Sequence, residues 1–363
     1  MPEDAPRGEA AFTLEEGLAS RAVRSMAERV DELALDYAQL QRERPLFLPG
    51  QLDLWLEVAR GVLRVRAALE RAGPETVVIW RRGEGGAGGS AAPEDLPGLR
   101  LLCRDPSGVL GPFFGQLAGS ICLSATLSPT SFYRSLLGLD PDRVEELACP
   151  SPFPPENRRV LVVAGVSTLW RHRVRDRLAT AALISEVIAA VPGNLAIYFP
   201  SFAMLEDIAP LLDRGDRPLL RQGRRSSEAE RAEIVDTLLR GEGHVLLAVL
   251  GGIFAEGVDL PGGALLAAVV VGPALPAATL ERRLLQEWYQ ERYEQGFRYA
   301  WLVPGMCKVV QAAGRVLRTP VDRGAIVLID QRFVQDEYRA FFPSEWEPRR
   351  SRRPGEDLEG TWG

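Results

Sequence analysis

The stretch Gln311-Ala-Ala-Gly-Arg315-Val-Leu-Arg318 decides how the rest of the chain is interpreted. Spacings of three and four return to one face of a helix, so Gln311, Arg315 and Arg318 are predicted to share a stripe. The apolar residues between them would face a core, and Thr319-Pro320 would end the helix. An amide and two guanidiniums on one stripe form a planar, multidentate surface that suits an anion. A surface helix with solvated arginines is the alternative for this stretch alone.

Length and composition are typical of a globular protein with two or three domains. The chain has 363 residues, of which 46% are hydrophobic and 25% charged. Its longest apolar runs are too short to span a bilayer. The first residues, Met1-Pro-Glu-Asp, have neither a basic start nor a hydrophobic signal core. We therefore expect a cytoplasmic protein without a membrane partner.

The charge pattern restricts the kind of nucleic-acid site that the chain can have. The formal net charge is −6, so any such site must be a local basic groove. Lys308 is the one lysine among 43 basic residues. A phosphate-binding P-loop needs Gly-Lys-Ser/Thr, and no such tripeptide occurs in the sequence.

Metal centres are not indicated by the sequence. The four cysteines are scattered without a Cys-x-x-Cys pair, which argues against zinc or an iron–sulfur cluster and favours buried free thiols. With two histidines, His172 and His244, metal or triad chemistry based on histidine is nearly excluded. Both are predicted to be structural.

The chain divides into a helical first part and an α/β second part. Residues 13–44 and 51–71 are predicted to form amphipathic helices, followed by a β-hairpin whose loop carries Gly83-Glu-Gly-Gly-Ala-Gly88. This loop matches G-x-G-x-x-G, but no helix follows it, so a flexible hairpin loop is favoured over a dinucleotide site. From residue 105 onward, short apolar runs alternate with helical periodicity, which predicts a mostly parallel sheet flanked by helices.

The predicted elements of the second part are short and evenly spaced. Strands are expected at residues 120–123, 159–164, 194–199, 217–220, 244–249, 265–271 and 325–330. Helices are expected at residues 173–191, 201–212, 226–240, 280–295 and 306–318. Functional loops of such sheets lie at the carboxyl ends of the strands.

Three loops fulfil that expectation. Ser124-Ala125-Thr126 and Ser201-Phe202 each follow a predicted strand, where hydroxyl groups can contact phosphate or simply cap the next helix. Glu256-Gly257-Val-Asp259 follows paired glycines and places two carboxylates beside a strand end. These carboxylates could orient arginines or accept a ribose hydroxyl; a structural turn is the alternative.

Together these tracts resemble motifs of the XPD/DinG-type superfamily 2 ATP-dependent DNA helicases. Residues 311–318 resemble motif VI, 124–126 motif III, 199–202 motif IV and 256–259 motif V, in family order over roughly residues 105–335. The resemblance implies a RecA-like second motor domain at 105–345 and an arch-like helical remnant with a hairpin at 1–104. Residues 346–363, with the basic run Arg349–Arg353, are predicted to form a disordered tail.

The resemblance also implies roles for individual residues. Arg315 and Arg318 would be catalytic at the γ-phosphate of ATP. Gln311, Glu256, Gly257 and Asp259 would bind nucleotide. Residues contacting DNA or coupling it to hydrolysis would be Ser124, Ala125, Thr126, Ser201 and Phe202.

The sequence departs from the family in its first motor domain. Neither Gly-Lys-Thr/Ser nor Asp-Glu-x-His occurs, so the amino-terminal motor domain, with its Mg²⁺ ligands, is predicted to be missing and to act as a partner in cis or in trans. An iron–sulfur cluster, where the family has one, would also lie there. The implied partners are ATP with Mg²⁺ and single-stranded or forked DNA. A non-catalytic nucleic-acid-binding or interaction module that retains the helicase fold is the alternative.

Overall fold

The computed structural model describes residues 9–13, 20–43, 53–81, 98–258, 260 and 263–362. The chain forms two compact units. The first comprises Met1–Ser120, Arg134–Val144 and Ala278–Gly296. The second comprises Ile121–Tyr133, Glu145–Ala277 and Phe297–Gly363. This division differs from the predicted boundary at residue 104, because a segment beyond 104 and a late helix both belong to the first unit. The Gly83–Gly88 loop lies outside the described residues.

Ten strands and twelve helices lie in the part of the chain that the structure describes. The strands are β1 (Glu9–Thr13), β2 (Thr76–Arg81), β3 (Gly98–Cys103), β4 (Arg158–Val163), β5 (Leu195–Phe199), β6 (Leu219–Arg221), β7 (Val245–Val249), β8 (Ala267–Val271), β9 (Gly324–Ile329) and β10 (Arg349–Ser351). The helices are α1 (Ser20–Glu43), α2 (Leu54–Glu70), α3 (Ser107–Gly115), α4 (Thr130–Leu137), α5 (Arg173–Ala190), α6 (Phe202–Ile208), α7 (Glu228–Arg240), α8 (Ile253–Glu256), α9 (Leu280–Tyr293), α10 (Val303–Ala313), α11 (Asp336–Arg339) and α12 (Pro354–Leu358).

The first unit combines a small sheet with a helical pair. Its strands lie in the order β1-β2-β3 and are antiparallel. Helices α1 and α2 are joined by an ion pair between Arg66 and Asp31, 2.6 Å apart, and by stacked rings of Tyr37 and Trp55. Helix α1 begins at Ser20 rather than at residue 13, which instead ends β1.

A buried carboxylate, Asp105, joins the end of β3 to α9 in the first unit. Its side chain is 2% exposed and accepts hydrogen bonds from Tyr293 Oη (2.7 Å), Ser107 N (2.9 Å) and Trp288 Nε1 (3.3 Å). Arg292 Nε lies 3.0 Å away. Burial alone would raise the pKa of Asp105, but the hydrogen bonds from Tyr293 and Ser107 bring it below the ordinary value. This contact explains why α9 groups with the first unit.

The second unit is built on a seven-stranded sheet in the order β10-β4-β9-β8-β5-β7-β6. Every neighbouring pair is parallel. All residues of β5, β7, β8 and β9 are buried, because helices cover both faces and leave no solvated side. On one face, Ile184, Val187 and Ile188 of α5 pack in the core cluster. Helix α10 also contacts β8. The predicted α/β, RecA-like sheet is confirmed.

The carboxyl-terminal segment is ordered, so the prediction of a disordered tail over 346–363 is wrong. Strand β10 pairs in parallel with β4, with Ser351 opposite Val163. Helix α12 packs on α5, and Leu358 is fully buried in the core cluster. The sequence Arg349–Arg353 reads as a solvated basic run because β10 is an edge strand whose two arginines are exposed.

Candidate functional site

The glycine-rich loop after β7 lies at the carboxyl end of the central sheet. Leu250 N donates to the carbonyl of Phe199, so the chain leaves β7 beside the end of β5. Gly251 has φ +73°, a conformation that glycine adopts without strain. Gly252 then caps the short helix α8. Glu256 and Gly257 at its end are exposed, while Asp259 lies outside the described residues.

The helix that carries Gln311 ends earlier than the sequence predicts. Helix α10 stops at Ala313, and Gly314 N closes the last turn by donating to Val310 O over 2.9 Å. Arg315 and Arg318 therefore follow the helix, and the predicted shared helical stripe is wrong. Val316 is buried against Gly324, where β9 begins, so the backbone must turn to bring it there.

An aspartate closes this turn. Asp322 Oδ2 accepts hydrogen bonds from the backbone N–H groups of Arg318 (2.7 Å) and Thr319 (2.6 Å). Burial acts to raise the pKa of Asp322, and these N–H donors lower it below its ordinary value, so the carboxylate is charged at neutral pH. The side chain of Arg318 is exposed beside it.

Arg315 joins the turn to the glycine-rich loop. It is 9% exposed. Its Nε donates to the carbonyl of Ala255 over 3.0 Å, and one terminal nitrogen donates to the carbonyl of Val258. The planar guanidinium can make both bonds at once, which an ammonium cannot. The structure thus brings the predicted motif V and motif VI segments together through Arg315.

The segment Ser124–Thr126 also reaches this region, but it does not follow a strand. Residues 120–123, predicted as a strand, are irregular, with Ile121 89% and Leu123 85% exposed. Within the described residues no strand pairs with them, which explains why the apolar pattern forms no sheet there. Ser124 and Ala125 are exposed, and Ser124 Oγ accepts from Thr126 N over 3.2 Å.

Thr126 contacts helix α10. Gln311 Nε2 lies 3.4 Å from Thr126 Oγ1, and Cys307 Sγ lies 3.9 Å from its carbonyl oxygen. Tyr133 Oη is 3.4 Å from the same sulfur. Burial raises the pKa of Cys307, so this thiol is protonated and acts as a packing group. The contacts link a residue predicted to couple DNA with one predicted to bind nucleotide.

Ser201 acts as a helix cap. It precedes α6, and its Oγ accepts from Met204 N over 3.2 Å, as the capping alternative expects. Phe202 is half-buried, with the guanidinium of Arg224 lying 5.1 Å from its ring centroid. Arg224 is also paired bidentately with Glu206 at 3.0 Å. No assigned motif includes Arg224, and only its position after β6 could have indicated it.

Sequence reasoning also missed Lys308. A methyl group on Gly251 would lie 2.7 Å from Lys308 Nζ, so this lysine crosses directly over the glycine-rich loop. Its place three residues before Gln311 on the same helix was the available signal.

Metal-ligand geometry is not found among the described residues. No group of three or more histidine, cysteine, aspartate or glutamate side chains there could hold a metal ion. The expectation of buried thiols is wrong for Cys103, Cys122 and Cys149, which are exposed. None of the described helices is long and apolar enough to cross a membrane.

The parallel sheet of the second unit, flanked by helices, is of the α/β, RecA-like class. Residues 184–349 match the family model of the helicase C-terminal domain. The resemblance to the carboxyl-terminal domain of XPD/DinG-type helicases that the sequence predicts is therefore confirmed over this part of the chain.

The relatives that support this assignment are helicases. The chain is 29% identical to a probable ATP-dependent helicase of Methanocaldococcus jannaschii over 65% of this chain and 38% of that protein. It is 27% identical to the ATP-dependent DNA helicase DinG of Photobacterium profundum over 62% of this chain and 33% of that protein. The chain thus spans about a third of the length of these curated relatives.

A solved structure of an XPD helicase has the same fold. It superposes with a TM-score of 0.57 at 14% identity, over 94% of this chain and 65% of that one. A likeness at this identity shows the architecture alone.

Proposed function

We propose that the second unit is the carboxyl-terminal motor domain of an ATP-dependent DNA helicase. It would supply Gln311, Arg318 and the Glu256–Asp259 loop to an ATP site shared with an amino-terminal motor domain, in cis or in trans. The observation that carries the proposal is the hydrogen bonding of Arg315 to Ala255 and Val258, which fixes the Arg318 turn against the Glu256 loop. The cytoplasm is the proposed location.

The chemistry follows from the charge of the reacting phosphate. Phosphoryl transfer leaves little covalent work to the protein, so catalysis rests on positioning and on neutralising charge. Arg318 is exposed at a turn closed by Asp322, and we assign it the contact with the γ-phosphate. The same role is proposed for Arg315, whose Nε and one terminal nitrogen donate to main-chain carbonyls, when the two motor domains close on the nucleotide. Mg²⁺ would be held by the partner motor domain.

The DNA-facing part of the proposal uses the exposed loops of the second unit. Ser124 and Ala125 are exposed, and Thr126 contacts Gln311. Binding of a DNA strand to this segment would therefore affect the position of a residue that we assign to the nucleotide site. Ser201 and Phe202 are the second contact, at the start of α6. Binding there would be weak, independent of sequence and sensitive to salt.

The test is DNA-stimulated ATPase of the chain supplied with a motor domain that carries Gly-Lys-Thr. Arg318→Lys is expected to reduce turnover by about 10³- to 10⁵-fold, since an ammonium cannot reproduce the planar fork. Arg350→Lys, at an exposed arginine of β10, is the matched control and should leave turnover unchanged. Near-normal turnover in both Arg315→Lys and Arg318→Lys would contradict the proposal.

A second candidate is a non-catalytic nucleic-acid-binding module with the same fold. The 363 residues contain no Gly-Lys-Ser/Thr, and this observation favours it. Such a module would bind single strands with no ATP hydrolysis in the reconstituted protein, and substitutions at Arg318 would leave DNA binding unchanged.

A further inference from the structure

Trp170 is unusually accessible for its residue type. All seven tryptophans lie in the described part of the chain, and Trp170 alone among them is exposed, with 83% of its surface open to solvent. A tryptophan buries the largest apolar area of any side chain, so this exposure indicates a surface that a partner covers. Trp170 lies in the loop between β4 and α5.

The backbone that carries Trp170 is held rigidly. Thr168 N and Thr168 Oγ1 each donate to Asp330 Oδ2 over 2.7 Å, and the carboxylate is fully buried at the end of β9. Arg332 Nε lies 2.9 Å from Asp330 Oδ1, and a terminal nitrogen donates to Thr168 Oγ1 over 2.7 Å. Burial acts to raise the pKa of Asp330, and the adjacent Arg332 brings it below its ordinary value. The loop therefore presents the indole from a fixed position.

Arginines are concentrated in the segment that carries the ring. From Trp170 to Leu178 the sequence contains four arginines and one acidic residue, Asp176. The guanidinium of Arg173 lies 5.6 Å from the indole centroid and is held there by Asp207 of α6, 2.7 Å away. Arg171 and Arg177 are exposed and form no salt bridge with any residue that the structure describes.

The position in the sheet matches that of the proposed DNA loops. Trp170 follows β4, Phe202 follows β5 and Arg224 follows β6, and all three strands are parallel. Their carboxyl ends share one edge of the sheet. Arg173 connects the first two segments directly, because it also donates to the main-chain carbonyl of Ala203.

We propose that Trp170 is a stacking platform for a base of single-stranded nucleic acid, with Arg171 and Arg177 contacting the adjacent phosphates. This inference rests on the proposed function, since it assigns a further contact on the DNA-facing edge of the same unit. Base–aromatic stacking tolerates any sequence because every base has a π face, and basic groups beside the ring follow the backbone.

The competing occupant is a protein. Val174 and Leu178 of α5 lie four residues apart and are 76% and 64% exposed, and Trp170, 83% exposed, precedes the helix by three residues, so the three form an exposed apolar set. Two observations favour nucleic acid. Arginines alternate with the other residues from 171 to 177, and the support by Asp330 serves the Trp170 loop rather than the helix beyond it.

The experiment compares an oligothymidylate with an abasic strand of equal length and charge, each fluorescently labelled and titrated with the full chain at low salt. The wild-type chain is expected to prefer the strand with bases. Trp170→Ala should weaken binding to oligothymidylate by about 5- to 150-fold, the range that loss of one stacked base gives. Binding to the abasic strand should change little. Trp170→Phe should recover most of the loss.

Two further variants separate stacking from other causes. Arg171→Ala should reduce the slope of log affinity against log salt by about 0.7, as loss of one phosphate contact on a single strand does. Leu178→Ala removes an apolar group that is 64% exposed and lies eight residues from Trp170, and it should leave affinity unchanged. Near-ultraviolet circular dichroism checks that each variant is folded.

Four other outcomes would contradict the inference, and each identifies a different cause. If oligothymidylate binds and Trp170→Ala has no effect, the platform is wrong while the proposed function stands. Equal losses on both strands, or an equal loss in Leu178→Ala, mean that the ring does not stack on a base. Self-association that Trp170→Ala abolishes identifies a protein contact instead. If neither strand binds at any salt, the inference fails together with the DNA-binding part of the proposed function.

Discussion

Arg315 donates from its Nε to the main-chain carbonyl of Ala255, 3.0 Å away, and thereby ties the turn after α10 to the loop after β7. An arginine that donates hydrogen bonds to backbone oxygens of its own domain stabilises the fold, in addition to any catalytic role. The neighbouring Arg318 is exposed, so substitutions of the two arginines should differ in their effect on the free energy of unfolding.

We predict that Arg315→Ala lowers the free energy of unfolding by about 1–3 kcal/mol, because it leaves buried carbonyls without a donor. Arg318→Ala is the matched control and should change it by less than about 0.5 kcal/mol, as exposed substitutions usually do. Urea unfolding followed by circular dichroism measures both. Equal losses in the two variants would contradict the structural role of Arg315.

Substitution of Asn194 is expected to destabilise the second unit. It is 6% exposed, and its Nδ2 lies 2.8 Å from Leu238 O and 2.9 Å from Gly241 O, while its Oδ1 accepts from His244 N. Asn194→Ala should cost at least about 2 kcal/mol of unfolding free energy, since several buried groups lose their partners together.

The matched control for Asn194 is Asn157→Ala. Asn157 makes one exposed side-chain hydrogen bond, to Pro320 O at 2.9 Å. Its substitution should shift the denaturation midpoint little. A midpoint for Asn194→Ala within error of the Asn157→Ala value would rule out the bridging role.

Gly272 combines two constraints. Its φ is +79°, and a Cβ placed on it would lie 2.2 Å from Thr168 Oγ1. Gly272→Ala should therefore be more destabilising than Gly215→Ala, whose φ is +55° but whose Cβ would meet nothing within 4 Å. In Gly215→Ala the left-handed backbone alone should lower the free energy of unfolding by about 1–2 kcal/mol. In Gly272→Ala the clash with Thr168 should lower it by a further ~1–3 kcal/mol. Thermal melting of both variants measures the difference; equal melting temperatures would show that Thr168 moves aside without cost.

Asp105 should make the stability of the first unit depend on pH. Its folded-state pKa lies below the ordinary value of 3.8, so its stabilising contribution is complete above that value and is lost as pH falls through the folded-state pKa. The melting-temperature gap between the wild type and Asp105→Asn should be widest near neutral pH and should narrow below about pH 4. Asp36→Asn, at an exposed position of α1, is the control for the substitution itself and should change the melting temperature little at neutral pH. A gap for Asp105→Asn that stays constant down to pH 3 would refute the assignment.

The central strands could be predicted from the sequence within two residues because they are buried on both faces. Continuous apolar runs such as Ala267–Val271 have no other stable place in a domain of this size. The edge strand β10 could not be predicted this way, because its arginines point to solvent and its pairing with β4 depends on residues far away in the chain.

The sequence predicted where the loops of the candidate site lie along the chain, but it did not predict the contacts between them. The paired glycines and carboxylates predicted a loop directly after a strand, and the structure has this loop after β7. The end of α10 depends on the burial of Val316 against Gly324, a contact between distant segments that helix periodicity does not contain. For the same reason the sequence gives no indication that Arg315 bonds to Ala255, or that residues 120–123 lack a neighbouring strand among the described ones.

The pairing of β10 with β4 has a consequence for protein synthesis. During translation β4 leaves the ribosome early, and the segment Arg349–Ser351 emerges only after every other strand of the sheet has been made. Until then one edge of β4 presents unpaired amides and carbonyls, which are a template for pairing with a neighbouring nascent chain. A released chain truncated shortly before residue 349 would therefore form the sheet with an open edge beside β4, and aggregation of this truncated chain is the expected result.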